Sequence, residues 1–303
     1  MGRRIAANIM ANPSITIVEN PELPRTNAPD YVLGHSETEL QRLILQANFY
    51  ERQTESLLLS GGLTAGQRVI DFGCGAGDVS FLAARLVGPT GSVLGVDRSP
   101  AAIQTARGRA ARSGLRNVEF IQADDETLGA RVPAASFDAV VGRLVLLYQR
   151  DPLACLQRLA PLLRPNGAAI FHEIQMSPGW YGAFPGSPLV EQLRALMSAT
   201  CERAGIEQDM GMKLGGLLLA AGFVAPESLL TARVESGPDS PVYAYFAETM
   251  RSLLPAMIKL GLTTEAEIDV DTLADRLREE ITASNGSVVV SMLIGCHARW
   301  PAR

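Results

Sequence analysis

The chain has 303 residues, 47% of them hydrophobic and 19% charged, with a formal net charge of −5. That length and apolar fraction can bury a sizeable core and point to one large domain, or one domain with an insertion. The acidic balance lacks the basic face of a nucleic-acid binder, and Cys74, Cys155, Cys201 and Cys296 form no C-x-x-C, so neither a nucleic-acid partner nor a metal is expected.

Residues 1–30 carry Asn8, Asn12, Pro13, Pro21, Pro24 and Pro29 and read as a mobile or extended arm. Met1-Gly2-Arg3-Arg4 matches neither a signal peptide nor a myristoylation site, and no membrane span is expected. Scattered free thiols fit a reducing, cytoplasmic setting. Residues 31–62 read as a helical cap: Ser36 and Glu39 form a capping box, and the apolar stripe of Leu40, Leu43, Ile44 and Ala47 continues through Phe49, Thr54 and Leu57 to Gly61-Gly62.

Beyond it, strands and helices alternate. Val69–Phe72, Ser92–Val96, Val118–Ile121, Phe137–Val141 and Ala168–Ile174 read as strands, with helices at Asp78–Val87, Pro100–Arg112 and Leu153–Leu163. Segment 175–212, rich in Gly and Pro and holding a helix around Val190–Ala204, breaks the pattern. A helix at Leu214–Ala221, a strand at Ser228–Val234, helices at Pro241–Leu260 and Thr264–Ala283, and a last strand at Val288–Cys296 complete the chain. The expectation for residues 63–303 is an α/β fold: a doubly wound, mostly parallel seven-stranded sheet, Rossmann-like, with helical lid segments 175–212 and 237–285.

The stretch VIDFGCGAGDVS (69–80) joins the first strand to a helix through a glycine turn. Dinucleotide enzymes use G-x-G-x-x-G; here the third glycine, Gly77, comes one residue early, and Asp71 ahead of the turn would repel phosphates. A carboxylate there suits an ammonium group, and the Gly73–Gly77 turn brings helix amides to a carboxylate. Asp97 ends the second strand, where it can accept both hydroxyls of a ribose; Asp124 ends the third, where it can take an adenine amine. A ligand with an ammonium, a carboxylate, a ribose and an adenine is S-adenosyl-L-methionine, whose product is S-adenosyl-L-homocysteine.

With VLGVDRS (93–99), FIQADDETL (120–128), FDAVVGRLVLLY (137–148) and LLRPNGAAIFHE (162–173) following in order, the chain resembles the class I S-adenosylmethionine-dependent methyltransferases. Within them it is similar to the small-molecule branch related to quinone-biosynthesis enzymes. The resemblance covers roughly residues 65–174. It implies that Asp71, Gly73, Cys74, Gly75 and Gly77 hold the methionine end, Asp97 the ribose, and Asp124 with the backbone of Asp125 the adenine, with Arg98 also among the cofactor-binding residues. Arg143 would face the methionine and the transferred methyl. Asp125 departs from the apolar residue the family often has, which leaves the choice between Asp124 and Asp125 at the adenine open.

His172 and Glu173 end the fifth strand and read as candidates for a general base and a polar substrate contact, with a packed imidazole the alternative for His172. His35 could touch cofactor or substrate from the cap, and Tyr148, Trp180 and Tyr181 could line a substrate pocket or simply pack. Asp97 alone could be a helix cap before Pro100, Asp138 reads as closing a turn, His297 as lying beyond the last strand, and Cys74 as a space-filler. The expected reaction is direct methyl displacement onto O, N or C of a bulky, mostly apolar metabolite, as in natural product biosynthesis. The alternatives are a non-methylating cyclase or decarboxylase on the same fold, or a non-catalytic partner subunit. The apolar C-terminal helices could pair two copies as a homodimer.

Overall fold

The computed structural model describes residues 37–177, 182–290 and 292–302. The expected arm at 1–30, Ser36 of the capping box, His35, Trp180 and Tyr181 lie outside the described residues.

A long helix, α1 (Glu37–Ser60), precedes the alternating part. There follow β1 (Arg68–Phe72), α2 (Asp78–Val87), β2 (Ser92–Asp97), α3 (Pro100–Ser113), β3 (Val118–Gln122), a short α4 (Asp125–Leu128), β4 (Phe137–Arg143), α5 (Pro152–Leu159) and β5 (Leu163–Gln175). Next come β6 (Gly182–Phe184), α6 (Pro188–Ala204), α7 (Met210–Ala220), β7 (Val224–Thr231) and β8 (Val234–Ser236). The chain closes with α8 (Val242–Lys259), α9 (Glu265–Ile268), α10 (Val270–Ala283), β9 (Ser287–Val289) and β10 (Met292–Arg299).

The main sheet has seven strands in the order β3-β2-β1-β4-β5-β10-β7. The first five are parallel, and β10 runs antiparallel between β5 and β7. This is the expected doubly wound α/β sheet. Its order reverses between β1 and β4, where such sheets open a crevice at the carboxyl ends of the strands. Asp138 lies inside β4, not in a turn: it accepts the Arg68 N–H at 2.8 Å and pairs with Arg164 at 2.6 Å, tying β4 to β1 and β5.

Four boundaries depart from expectation. The helix after β4 stops at Leu159, because Pro161 cannot continue it and the chain tightens into a 3-10 turn over Ala160–Leu162. The fifth strand begins at Leu163, ahead of the expected Ala168, with Asn166 inside it at φ 64 as a bulge, its N–H bonded to Trp300 O at 2.9 Å. The final strand is two strands, so His297 lies within β10, opposite Ile170 of β5, and not beyond it. The helix expected at Thr264–Ala283 likewise breaks at Asp269, which takes φ 45.

A second, three-stranded sheet, β6-β9-β8, had no counterpart in the expectation. The helix α1 packs over β5 and β10, with Leu57 against Gly295 and Gly61 against Ile170. Phe49 stacks on Tyr245 of α8 at 4.9 Å, and Tyr50 bonds the Tyr245 hydroxyl at 3.0 Å. Each aromatic buried here contributes roughly 1.5–3 kcal/mol. Most apolar residues of α8 between Val242 and Met257 are buried within the chain itself, which accounts for much of that helix's composition. Among the described residues no helix is long and apolar enough to cross a membrane.

Candidate active site

A cavity of about 450 Å³ opens at the carboxyl ends of β1 to β5. Its first wall is the glycine turn. The N–H groups of Gly73 and Cys74 both reach Val96 O, at 2.8 and 2.9 Å, so the turn folds back over β2. The Gly75 N–H donates to Asp97 Oδ2 at 2.9 Å, and the Ser99 N–H to Asp97 Oδ1 at 2.8 Å. Asp97 therefore binds the turn to β2, while Ser99, not Asp97, caps α3. Arg109 buttresses the turn from behind through Asp78 at 2.6 Å and Ala76 O at 2.8 Å.

Gly73, Cys74, Gly75, Asp97, Arg98, Asp124, Asp125, Arg143 and Tyr148 all line the cavity. Asp124 caps α4, its Oδ1 accepting from the N–H of Thr127 at 2.8 Å and from the Thr127 hydroxyl at 2.6 Å, which lowers its pKa. The Asp125 carboxylate turns to Arg158 at 2.7 Å. Asp124 is thus the carboxylate held at the end of β3 itself. Burial raises the Cys74 thiol well above its usual range, which suits a space-filler.

Four of the expected site residues stand behind the cavity wall and do not line it. Asp71 is 1% exposed; its Oδ2 accepts the Ser80 hydroxyl at 2.5 Å and its Oδ1 has no hydrogen-bond partner. Burial pushes its pKa up to about 7. Gly77 takes φ 92 at the start of α2, with Phe120 and Phe81 packed against it. His172 is not at the rim either: it is 2% exposed, and burial and Arg143 lower its pKa to about 3. Glu173 is fully buried, and its Oε1 accepts the N–H groups of Val145 and Leu146 at 2.9 and 2.7 Å. Desolvation raises it to about 7. Glu173 holds the loop after β4, where Leu144 takes φ 54 and Leu144, Val145, Leu147 and Tyr148 form a stretch of wall. The expected base and substrate contact on β5 is corrected accordingly: the strand runs on to Gln175, so His172 and Glu173 are interior residues.

The far side of the cavity is built by residues that sequence reasoning passed over. Ile174 lies near the end of β5 and Met176 just past it; Met197 and Cys201 come from α6; Tyr245, Thr249 and Leu253 come from α8; Gln46 comes from α1. No local signal marks them: Met197, Cys201, Tyr245, Thr249 and Leu253 are ordinary positions of buried helix faces, and Ile174 and Met176 are ordinary buried residues at the end of a strand. Acidic groups therefore gather beyond β1, β2 and β3, a guanidinium stands in the middle, and an apolar lobe lies beyond β5 and the helices. Such a cavity can seat a ligand that is polar and adenosine-like at one end beside a flat or bulky apolar partner.

Residues 63–220 match a family model described as a methyltransferase domain. The chain is 38% identical over 129 residues to aklanonic acid methyltransferase DauC of Streptomyces sp. (strain C5), covering 42% of this chain and 58% of that protein. It is 32% identical over 122 residues to a ubiquinone biosynthesis O-methyltransferase of Acinetobacter baylyi, covering 40% of this chain and 49% of that one. The matches thus span about half the length of these curated relatives. Among solved structures, YcgJ of Bacillus subtilis is similar with a TM-score of 0.53 at 15% identity, covering 83% of this chain and 99% of that one. Haemonchus contortus phosphoethanolamine N-methyltransferase 2, solved with S-adenosylhomocysteine, has a TM-score of 0.52 at 18% identity, covering 82% and 52%. At these identities the structures speak to the fold.

Proposed function

Because the chain belongs to the methyltransferase domain family, we propose that it transfers the methyl group of S-adenosyl-L-methionine to a bulky, mostly apolar small molecule. The observation that carries the reading is the division of one cavity into an acidic side and an apolar side, with Arg143 between them. In this reading Asp97 and Arg98 hold the ribose and Asp124 the adenine. The backbone of Gly73–Gly75 and the Arg143 guanidinium hold the amino-acid end, and Asp71 acts from behind the turn through the field of its carboxyl.

The bound cofactor supplies a sulfonium-activated methyl group. The chain's own residues supply alignment and a dry cavity. Glu173 contributes by fixing the loop that carries Leu144, Leu147 and Tyr148 to the cavity wall. The acceptor lies in the apolar lobe, where Tyr245, Thr249 and Gln46 offer neutral polar contacts. In this reading α1 is the cap and segments 175–212 and 237–285 form the lid. The names of the two relatives, an aklanonic acid methyltransferase and a ubiquinone biosynthesis O-methyltransferase, make such acids and quinone-type compounds the first acceptors to try in the apolar lobe.

The test is incubation of the purified protein with methyl-labelled S-adenosylmethionine and a panel of polycyclic and quinone-type acids and phenols. Label transferred to an acceptor, with stoichiometric S-adenosylhomocysteine, is the expected result. Absence of cofactor binding by calorimetry would refute the reading.

A further inference from the structure

The hydroxyl of Thr54 sits between two side chains from different elements. Arg143, ending β4 at the cavity wall, donates from Nη1 to Thr54 Oγ1 at 3.2 Å. The same oxygen lies 3.3 Å from Nδ1 of His172, which is in register with Arg143 on the neighbouring strand β5. Thr54 and His172 are each only 2% exposed.

A guanidinium only donates, so Thr54 accepts from Arg143. The oxygen's contact with His172 Nδ1 runs in the direction the ring tautomer sets, and in both tautomers it holds Oγ1 in place. His172 is neutral across the physiological range, so it places no second cation beside the guanidinium. The bond to Thr54 is the one hydrogen bond that Arg143 makes among the described residues. A long arginine side chain has many rotamers, so one bond to a fixed, buried hydroxyl restricts it substantially.

We propose that Thr54 is a positioning residue that aims the Arg143 guanidinium at the carboxylate of the cofactor, with His172 holding the Thr54 oxygen in place. The inference rests on the cofactor reading above. It makes α1 part of charge recognition: the helix over the sheet carries the group that orients the cation in the cavity. It also gives the buried His172 a task that needs no contact with substrate.

The experiment compares two ligands in calorimetry. S-adenosylhomocysteine has the amino-acid carboxylate; 5′-methylthioadenosine keeps the adenosine and the sulfur but lacks it. Thr54→Val keeps the shape and removes the hydroxyl. It is expected to weaken S-adenosylhomocysteine about tenfold, the size of one hydrogen bond to a charged group, and to leave 5′-methylthioadenosine within about twofold. Thr54→Ser is expected to restore wild-type affinity. The proposal is overturned by unchanged S-adenosylhomocysteine affinity in Thr54→Val, by equal weakening of both ligands, or by a Thr54→Ser variant as weak as the valine. If the valine variant does not fold, Thr54→Ala carries the same comparison. A wild-type protein that binds neither ligand overturns the cofactor reading and this inference with it, whereas a wild type that binds both isolates the failure to Thr54.

Discussion

Asp97 bonds two backbone N–H groups, those of Gly75 and Ser99, one on each carboxylate oxygen. Each oxygen keeps a second lone pair, which is what a ribose diol needs. Asp97→Ala removes the anchor of the glycine turn together with the diol acceptor. We expect S-adenosylhomocysteine affinity to fall about 100-fold or more, at roughly 1.5–3 kcal/mol per charge-assisted bond, measured by calorimetry. Unchanged affinity would remove Asp97 from the site. Asp97 was legible because it ends a strand that stops where the motif stops. His172 and Glu173 were misplaced because β5 is covered on both faces and continues past them. In such a strand the order of residues does not reveal which side chains emerge, and Thr54 read as one more member of an apolar helical stripe.

The β1–turn–α2 element puts three glycines close together, and two of them make different demands. Gly73 takes φ 70, and a Cβ there would meet Val145 Cγ2 at 2.3 Å; Gly75 takes φ 51 with nothing nearby. Gly73→Ala pays both left-handed strain and overlap, an expected loss of about 2–4 kcal/mol. Gly75→Ala pays the strain alone, about 1–2 kcal/mol. Urea denaturation of the two variants checks the order; equal losses would mean that the loop after β4 yields freely. The motif announced the turn, since its glycine spacing is local. It did not announce Val145, which packs against the turn from the loop after β4, or Glu173, which holds that loop. Nor did local pattern reveal the helix break at Asp269 or the splitting of the last strand, because tertiary pairing decides both.

Across the whole molecule, two buried carboxyls tie stability to pH. Asp71 and Glu173 are raised to about 7, from ordinary values of 3.8 and 4.5. Between those values the native state keeps protons that the unfolded chain has released. Their contribution is therefore complete below about pH 4 and is lost as pH rises through 7. His172, lowered to about 3 from 6.5, acts in the opposite sense over the acidic part of that range. The clean readout is the comparison with Glu173→Gln, which keeps an acceptor for the Val145 and Leu146 N–H groups. Between pH 5 and 8 the wild type should lose on the order of 2 kcal/mol more stability than the variant in urea titrations. Parallel curves would show that Glu173 does not titrate in that window. The sheet and its order were legible from alternation and spacing. The packing of α1, α6 and α8 around the cavity was not, since it depends on contacts between residues more than a hundred positions apart.

The three-stranded sheet has a consequence for how such a chain can diversify. Its strand β6 belongs to the segment inserted after β5, whereas β8 and β9 flank the helices α8 to α10. The Glu280 carboxylate adds a clasp, accepting from the Ser187 hydroxyl at 2.5 Å at the start of α6. The two segments are separate in sequence yet form one hydrogen-bonded body. Grafting either alone onto a relative would leave β6 or β9 with unpaired backbone and a carboxylate without its donor. A change in either segment has therefore to be matched in the other, while the β1–β5 half with its glycine turn can stay as it is.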